Sequence, residues 1–279
     1  MPEKCVLIKK GTLQMSFDNW EKIVIKVGTS TLTHEGGKLN LRRLEGLCKT
    51  ISDLQNSGKK IILVSSGAIG VGVGKLGLKE RPDDTAKKQA LAAVGQCELM
   101  FMYDKFFSEY NRTVAQVLLT ADVTGDPSGR KNVENTFCEL LDMDIIPIVN
   151  ENDTVAVDEL EGKNFGDNDT LSAIVANLTK ADALVILTDI DGMYSADPRK
   201  NRDAVRIPVI EHITPEIEAL AGGVGSSRGT GGMATKVKAA KIATEKGIAC
   251  CVINGNNPDI LYDLFDGKDI GTKFMPLKA

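Results

Sequence analysis

Residues 23–64 read IVIKVGTSTLTHEGGKLNLRRLEGLCKTISDLQNSGKKIILV, and this stretch decides the fold class. It holds two β-branched apolar runs, at residues 23–27 and 61–64, separated by a segment in which Leu and Ile recur every three or four residues. The runs are typical of buried strands and the segment of an amphipathic helix, with Asn40 as its predicted N-cap and Gly58 as its predicted stop. Strands joined by such a helix pair in parallel through a right-handed crossover, which predicts an α/β protein.

The same alternation continues along the chain. No repeat, low-complexity tract or proline-rich linker interrupts it. We therefore expect one α/β domain, a three-layer αβα sandwich with a mainly parallel central sheet. The further predicted helices lie near residues 86–110, 131–141, 170–178 and 234–246. The further predicted strands lie near residues 114–119, 145–149, 184–187 and 249–253.

The composition limits the classes of function. The 279 residues include 34 Lys and Arg against 38 Asp and Glu, a net charge of −4, which argues against a general nucleic-acid binder. No apolar run approaches the ~18 residues of a transmembrane helix, and the N-terminus lacks the order of a signal peptide, so we expect no membrane partner. The six cysteines show neither CxxC nor metal-ligand spacing. We interpret them as reduced thiols of a cytoplasmic protein that has no metal site of its own.

Ligands of open α/β sheets bind beyond the carboxyl ends of the strands, so the residues after each predicted strand are the candidates for a site. Lys26 stands near the end of the first strand, and Gly28 and three hydroxyl residues follow it. A buried lysine is costly unless its ammonium meets an anion, and backbone N–H groups and hydroxyls bind phosphate oxygens. The pattern fits phosphate binding, and it fits equally a snorkelling lysine followed by an ordinary turn.

Ser66 and Gly67 follow the second strand and can present donors there, while the glycines up to residue 77 allow close approach of the backbone. A structural glycine-rich turn is the alternative. Residues 72–77 match GxGxxG, but the strand ends several residues earlier, and no strand ending in an acidic residue follows about 20 positions later. The match is therefore a weak indication of a dinucleotide site.

Two clusters of Asn and acidic residues occupy loops at the same predicted sheet edge, at residues 150–153 and 166–170. One of these residues is expected to cap a helix, because Asn and Asp are favoured N-caps. Two clusters exceed what capping requires. The carboxylates and amides of both clusters, with Asp153, Asp167, Asn168 and Asp169 among them, could hold an amino group, orient lysines or coordinate Mg²⁺ through water.

Two further loops, one beginning at Thr188 and one at residues 229–236, are candidates for a ligand site. Thr188 and Asp189 open a turn-rich loop, for which a surface hairpin without a ligand is the alternative. Residues 229–236, GTGGMATK, form a donor-rich loop that leads into a helix N-terminus, where an anion is favoured. Lys236 is unfavourable in the first helical turns unless a phosphate binds there, and an unliganded flexible loop is the alternative.

Histidine chemistry is not indicated by the sequence. His34 and His212 are the two histidines, and neither has the neighbours of a catalytic triad or a metal site. If a phosphoryl group moves, its acceptor therefore needs no strong general base. A carboxylate, with a pKa of about 4.3, is already an ionised nucleophile at neutral pH.

The chain resembles the glutamate 5-kinases of the amino-acid kinase superfamily in six motifs, at residues 26–30, 65–68, 150–153, 166–169, 188–189 and 229–236. The resemblance covers nearly all of the chain from about residue 20. It implies ATP-dependent phosphorylation of the γ-carboxylate of L-glutamate to L-glutamyl 5-phosphate, the first step of proline biosynthesis. The residues that it assigns to glutamate are Ser66, Gly67, Asp153 and Asn168. Those that it assigns to ATP are Lys26, Gly28, Thr188, Asp189, Thr230, Gly231, Gly232, Met233, Ala234, Thr235 and Lys236.

The resemblance also implies roles around the reaction. Lys26 and Lys236 would neutralise the transferring phosphoryl group, and Asp169 and Asp167 would hold these catalytic lysines in place. Mg²⁺ would bridge the ATP phosphates without a dedicated protein cage. A homo-oligomer, dimer or tetramer, and feedback inhibition by L-proline are further implications.

The same resemblance divides the chain. Residues 1–19 are an N-terminal extension of unknown role, and residues 20–279 are the kinase domain, in a form without the C-terminal PUA domain of many bacterial members. Its glutamate-binding part would reach about residue 175, with the ATP-binding part after it. Two alternatives stay open: a superfamily kinase for another small carboxylate or phosphate acceptor, and a non-catalytic nucleotide or amino-acid sensor on the same fold.

Overall fold

A computed structural model describes residues 20–155, 165, 167–222 and 232–277. The strands in this part of the chain are β1 (Lys22–Val27), β2 (Lys60–Ser65), β3 (Val114–Leu119), β4 (Ile146–Glu151), β5 (Ala183–Thr188), β6 (Val209–Ile210), β7 (Ala249–Asn254) and β8 (Thr272–Phe274). They form one sheet in the order β3-β4-β2-β1-β5-β7-β8-β6. Neighbouring strands are parallel except β7 and β8, which are antiparallel.

The helices cover both faces of this sheet. They are α1 (Thr29–Leu32), α2 (Leu41–Asn56), α3 (Ala68–Lys75), α4 (Thr85–Ser108), α5 (Ala121–Gly125), α6 (Pro127–Asp142), α7 (Asn168–Thr179), α8 (Pro215–Gly222), α9 (Met233–Thr244) and α10 (Ile260–Phe265). In β1, Ile23 and Ile25 pack into the apolar cluster on the side of α2 and α4, and Val24 packs into the cluster on the side of α7 and α9. The predicted three-layer sandwich with a mainly parallel sheet is therefore confirmed.

The strand–helix–strand unit that decides the fold class forms as predicted. α2 begins at Leu41, and the Asn40 side chain caps it by accepting a hydrogen bond from the backbone N–H of Arg43 at 3.1 Å. The helix ends at Asn56, and Gly58 follows with a φ of +94°. This left-handed conformation costs glycine little, which explains why the helix stops there.

The glycine-rich stretch after β2 folds as the helix α3, so the structural turn that the sequence analysis gives as the alternative does not form. Glycine disfavours helix, so local propensity gives no such signal. Close packing against α4 supplies the reason: a Cβ on Gly95 would lie 1.8 Å from the backbone oxygen of Ala68, and one on Gly72 would lie 2.1 Å from that of Leu91. The GxGxxG match at residues 72–77 therefore lies largely within a packed helix, which weighs against a dinucleotide loop.

Three further observations bear on the classes of function. None of the helices within the described residues is both long and apolar enough to cross a membrane. The cysteines within the described residues are free thiols. His34 and His212 lie exposed outside helices and strands, as the sequence predicts.

Candidate active site

The candidate site lies at the carboxyl ends of the central strands. The parallel register aligns Val27 of β1 with Ser65 of β2 and with Leu187 of β5, so these strands end at the same edge. Lys26 precedes Val27, and Thr188 is the last residue of β5. The topology therefore gathers residues that are far apart in the sequence, as expected for an open α/β sheet.

Asp169 is the centre of one side of the site, which also includes Lys26 and Lys236 and which we call the phosphate side because its lysines suit an anion. It lies in the first turn of α7 with 1% of its surface exposed. Its Oδ1 is 2.7 Å from the Nζ of Lys26, and its Oδ2 is 3.1 Å from the Nζ of Lys236. The hydroxyl of Thr235 donates a third contact to Oδ2 at 2.7 Å. One carboxylate thus joins two buried lysines that come from opposite ends of the chain.

The ionisation of Asp169 follows from these contacts. Burial raises the pKa of the carboxyl, but the charges of Lys26 and Lys236 and the hydrogen bonds from Lys26 and Thr235 outweigh burial and lower the pKa to about 2. Asp169 is therefore ionised at any pH at which an enzyme works. The three groups together carry one net positive charge, which favours an anion beside them.

Asn168 directly precedes Asp169 and forms the centre of the other side of the site. Its Nδ2 donates to the Ser66 hydroxyl at 2.9 Å, to the backbone oxygen of Ser65 at 3.2 Å and to the Oδ1 of Asn150 at 2.9 Å. These partners sit at the ends of β2 and β4. Since its amide hydrogens are used within the protein, Asn168 has its Oδ1 left to present to a ligand, and this atom is an acceptor.

Acidic groups continue this side of the site. Burial raises the pKa of Asp153, and the charge of Arg81 offsets only part of this rise. The pKa of Glu151 is also raised, mainly by burial. A hydrogen bond from the backbone N–H of Phe165 lowers this pKa in part, and the negative charges of Asp153 and Asp167 raise it further. A bound cation would relieve both carboxylates, so this region suits a positively charged ligand group.

Asp167 corrects one part of the sequence analysis. Its carboxylate caps α7 by accepting from the backbone N–H of Thr170 at 2.8 Å and from the Thr170 hydroxyl at 3.1 Å. The lysines are instead held by Asp169. Asp167 is thus the residue of its cluster that serves as the N-cap, and we no longer assign it a catalytic role.

The remaining predicted residues lie around the same edge. Gly28 lies beside the Lys26 ammonium, which is 3.6 Å from where a Cβ on this glycine would be. The hydroxyl of Thr188 donates to Asp189 at 3.3 Å. Gly67 precedes α3 with a φ of +104°. Met233 is buried and begins α9, whose N-cap Gly232 leaves the first N–H groups without a side-chain cap, and Ala234 is exposed. Thr230 and Gly231 lie outside the described residues.

Sequence reasoning missed two residues of the site. Asn150 belongs to a quoted motif, but no role followed from its position. Gln96 lies in the middle of α4, where it accepts a hydrogen bond from the Nδ2 of Asn150 at 2.9 Å. No local signal in the sequence marks a helical glutamine as a neighbour of a strand end more than 50 residues later.

The donor set suits phosphate better than a metal ion. Within the described ranges, no group of three or more His, Cys, Asp or Glu residues could hold a metal. The buried carboxylate at the phosphate side is already paired with lysines. The described residues therefore do not build a cage for Mg²⁺, which phosphate oxygens hold in many kinase sites.

Comparison with known proteins decides the family. A family model described as the amino acid kinase family matches residues 21–254. Among curated relatives, the glutamate 5-kinase of Clostridium perfringens is 58% identical over 260 residues, which cover 93% of this chain and 97% of the relative. The chain belongs to the glutamate 5-kinases of the amino acid kinase family. The glutamate 5-kinase of Listeria monocytogenes EGD-e is 55% identical over 267 residues, which cover 95% of this chain and 97% of the relative.

Solved structures of two other kinases share the fold. The UMP kinase from Bacillus anthracis superimposes with a TM-score of 0.65 at 17% identity, covering 93% of this chain and 97% of that chain. The isopentenyl phosphate kinase from T. acidophilum gives a TM-score of 0.60 at 20% identity, covering 91% and 99%. At these identities the likeness concerns the fold alone.

Proposed function

We propose that this member of the family transfers the γ-phosphoryl group of ATP to the γ-carboxylate of L-glutamate, giving ADP and L-glutamyl 5-phosphate, the first step of proline biosynthesis. One observation carries the proposal beyond the family relationship. Asn168 and Asp169 are consecutive. The first contacts Ser66 and Asn150, and the second contacts Lys26 and Lys236. An amino acid and a polyphosphate would therefore meet at the start of α7.

The side of the site around Asn168, which we call the acceptor side, fits the α-ammonium and carboxylate groups of an amino acid. The Oδ1 of Asn168 would accept from the α-ammonium, and Asp153 would pair with the same group. The Ser66 hydroxyl accepts from Asn168, so its own hydrogen is available to donate to a carboxylate of the substrate. The γ-carboxylate is ionised at neutral pH and needs no general base to attack phosphorus.

The phosphate side supplies positive charge and donors. Phosphoryl transfer spreads negative charge over the equatorial oxygens, and preorganised cations stabilise that charge without reorganising. Lys26 and Lys236 would take this role, held in place by Asp169. Gly28, Thr188, Asp189 and residues 230–235 would line the nucleotide. Mg²⁺ would arrive with ATP and be held by its phosphates.

The activity is tested by measuring ADP release with Mg-ATP, with and without L-glutamate. Hydroxylamine in a parallel reaction traps an acyl phosphate as a hydroxamate, which identifies the carboxylate as the acceptor. We expect ADP and hydroxamate in equal amounts, and only with L-glutamate. L-Aspartate, N-acetyl-L-glutamate, carbamate and UMP serve as alternative acceptors. A preference for one of these would replace the proposal by another kinase of the superfamily, and no turnover with any of them would favour a sensor.

Asp153→Ala is expected to raise the KM for L-glutamate by at least about tenfold, equivalent to about 1.4 kcal/mol, because the α-ammonium loses its counter-charge. The KM for ATP should change little. Steady-state kinetics with each substrate varied in turn provide the measurement. Asp104→Ala is the matched control, because Asp104 is exposed on α4. An unchanged KM for L-glutamate in Asp153→Ala would move the substrate site elsewhere.

The KM for L-glutamate is also expected to depend on pH. Because burial raises the pKa of Asp153, this group becomes protonated at a higher pH than an ordinary aspartate as the pH falls. The attraction for the α-ammonium is thus present at neutral pH and lost on acidification. We expect the KM for L-glutamate to rise as the pH is lowered from 8 towards 5, and the KM of Asp153→Asn to stay flat. Equal pH profiles for both proteins would contradict this assignment.

Two further implications of the family resemblance stay proposals, assembly into a dimer or tetramer and feedback inhibition by L-proline. The cytoplasmic location that we infer from the cysteines is also a proposal. The division near residue 175 is likewise a proposal about ligand binding, since strands from both parts belong to one sheet. Light scattering and L-proline titration of the glutamate-dependent rate test the first two.

A further inference from the structure

A chain of hydrogen bonds runs from α4 to the acceptor side of the site. Gln96 accepts from Asn150, Asn150 accepts from Asn168, and Asn168 also donates to the Ser66 hydroxyl. Each step measures 2.9 Å between donor and acceptor. The chain therefore connects the interior of a long helix with the side chains that we assign to L-glutamate.

Backbone groups fix the direction of this chain. The Oδ1 of Asn150 accepts from the backbone N–H of Glu151 at 2.9 Å, so the opposite face of this amide, turned towards Gln96, is its NH₂ group. The Asn168 amide faces the backbone oxygen of Ser65, which can only accept, so that face of Asn168 is also an NH₂ group. Neither contact would survive if its amide were flipped, since donor would face donor or acceptor would face acceptor.

We propose that Gln96 is a positioning residue of the acceptor site, through the amide of Asn150. The Gln96 Oε1 accepts from the Asn150 NH₂ group and, together with the Glu151 N–H, holds the Asn150 Oδ1 turned towards Asn168. This arrangement engages the Asn168 NH₂ group and turns its Oδ1 towards the ligand. The inference rests on the proposed function, because it assigns the Asn168 Oδ1 to the α-ammonium of L-glutamate.

The position of Gln96 on α4 explains how a helix can set this orientation. Tyr103 lies seven residues further along, on the same side of the helix, and its hydroxyl lies 2.9 Å from the Ser65 Oγ. α4 thus contacts the ends of both β2 and β4. Gly95, next to Gln96, brings this helix against the backbone of α3. Gln96 is therefore held by packing on a rigid element, as a positioning residue must be.

The first test compares three variants by steady-state kinetics, with L-glutamate varied at saturating ATP and ATP varied at saturating L-glutamate. Gln96→Met keeps the length of the side chain but removes the acceptor, and we expect the KM for L-glutamate to rise about tenfold, as for a partly buried donor left without its partner. The KM for ATP should stay within about twofold, because the phosphate side is untouched. Gln96→Glu retains an acceptor and should recover most of the affinity. Tyr103→Phe is the matched control on the same helix and should lower thermal stability without changing either KM.

The second test is a double-mutant cycle with Asn150→Asp. In Asn150→Asp alone, the Gln96 side chain can turn so that its NH₂ group donates to the new carboxylate. In Gln96→Glu alone, the Asn150 NH₂ group still donates to the carboxylate introduced at position 96. The double variant places two carboxylates against each other with no hydrogen between them. We expect its KM for L-glutamate to exceed the product of the two single effects by at least about tenfold, since contacting residues couple in this way.

The outcomes separate the two proposals. A wild-type protein without glutamate-dependent ADP release would overturn the proposed function. With an active wild type, an unchanged KM for L-glutamate in Gln96→Met, an equal rise of both KM values, or an additive cycle would each overturn the role of Gln96 alone. If Gln96→Met does not fold, the cycle decides, because its variants keep the shape and polarity of the native side chains.

Discussion

Asp169→Asn is expected to lower kcat by about 10³-fold, because both lysines of the phosphate side lose the charge that holds them, and loss of a single preorganised donor already costs 10²–10³-fold. The free energy of unfolding should fall by about 3 kcal/mol, since two buried ammonium groups are left without a carboxylate. Steady-state kinetics and urea unfolding measure the two effects. A variant that keeps more than a tenth of the wild-type kcat would show that Asp169 does not organise the site.

Acid unfolding gives an independent check on Asp169. Its pKa in the folded protein is about 2, below the ordinary value of 3.8. The ion pairs therefore contribute their full stability above about pH 4 and lose it as the pH falls towards 2. We expect wild type to lose stability across this range more steeply than Asp169→Asn does. Asp142→Asn is the control, because it removes an ion pair with Lys60 that lies at the surface.

Lys236→Ala is expected to lower kcat by at least about 10²-fold, as for the loss of one preorganised donor in the transition state. The KM for ATP should rise much less, because the nucleotide keeps its other contacts. Lys236→Arg should restore little activity, since a planar guanidinium does not replace a compact ammonium in a tight site. Single-turnover measurements separate the chemical step from binding.

Lys241→Ala is the matched control on the same helix. Lys241 lies within α9 and pairs at the surface with Glu218 at 2.7 Å, whereas Lys236 is 5% exposed and contacts Asp169. We expect the control to keep nearly normal kcat. Circular dichroism of both variants should match wild type. Near-normal turnover in a folded Lys236→Ala would remove this lysine from the reaction.

The sequence predicts the fold where local pattern and tertiary packing agree. In the unit from β1 to β2, apolar periodicity, the Asn40 cap and the Gly58 stop all indicate the observed boundaries. α3 is different, because a stretch of alternating glycines lacks helix propensity and is helical only against α4. β6 and β8, with two and three residues, are too short to show a period in the sequence.

The site is predicted as a set of loops but not as a set of contacts. That Lys26 and Lys236 lie at the same edge follows from the parallel order of the strands. Which aspartate meets them does not, because Asp167 and Asp169 are equally good candidates until the first residue of α7 is known. The helix begins at Asn168, two residues before the predicted start, and this makes Asp167 the cap and turns Asp169 towards the lysines.

The consecutive placement of Asn168 and Asp169 has a consequence for ligand design. Their Cα atoms are about 3.8 Å apart on one helix, so any movement of α7 carries the amino-acid contact and the polyphosphate contact together. The distance between the amino-acid contact and the polyphosphate contact therefore stays constant when the helix moves. A single compound that joins a glutamate-like head to a polyphosphate tail should gain from a linker of one length and lose affinity when the linker is extended by a few atoms.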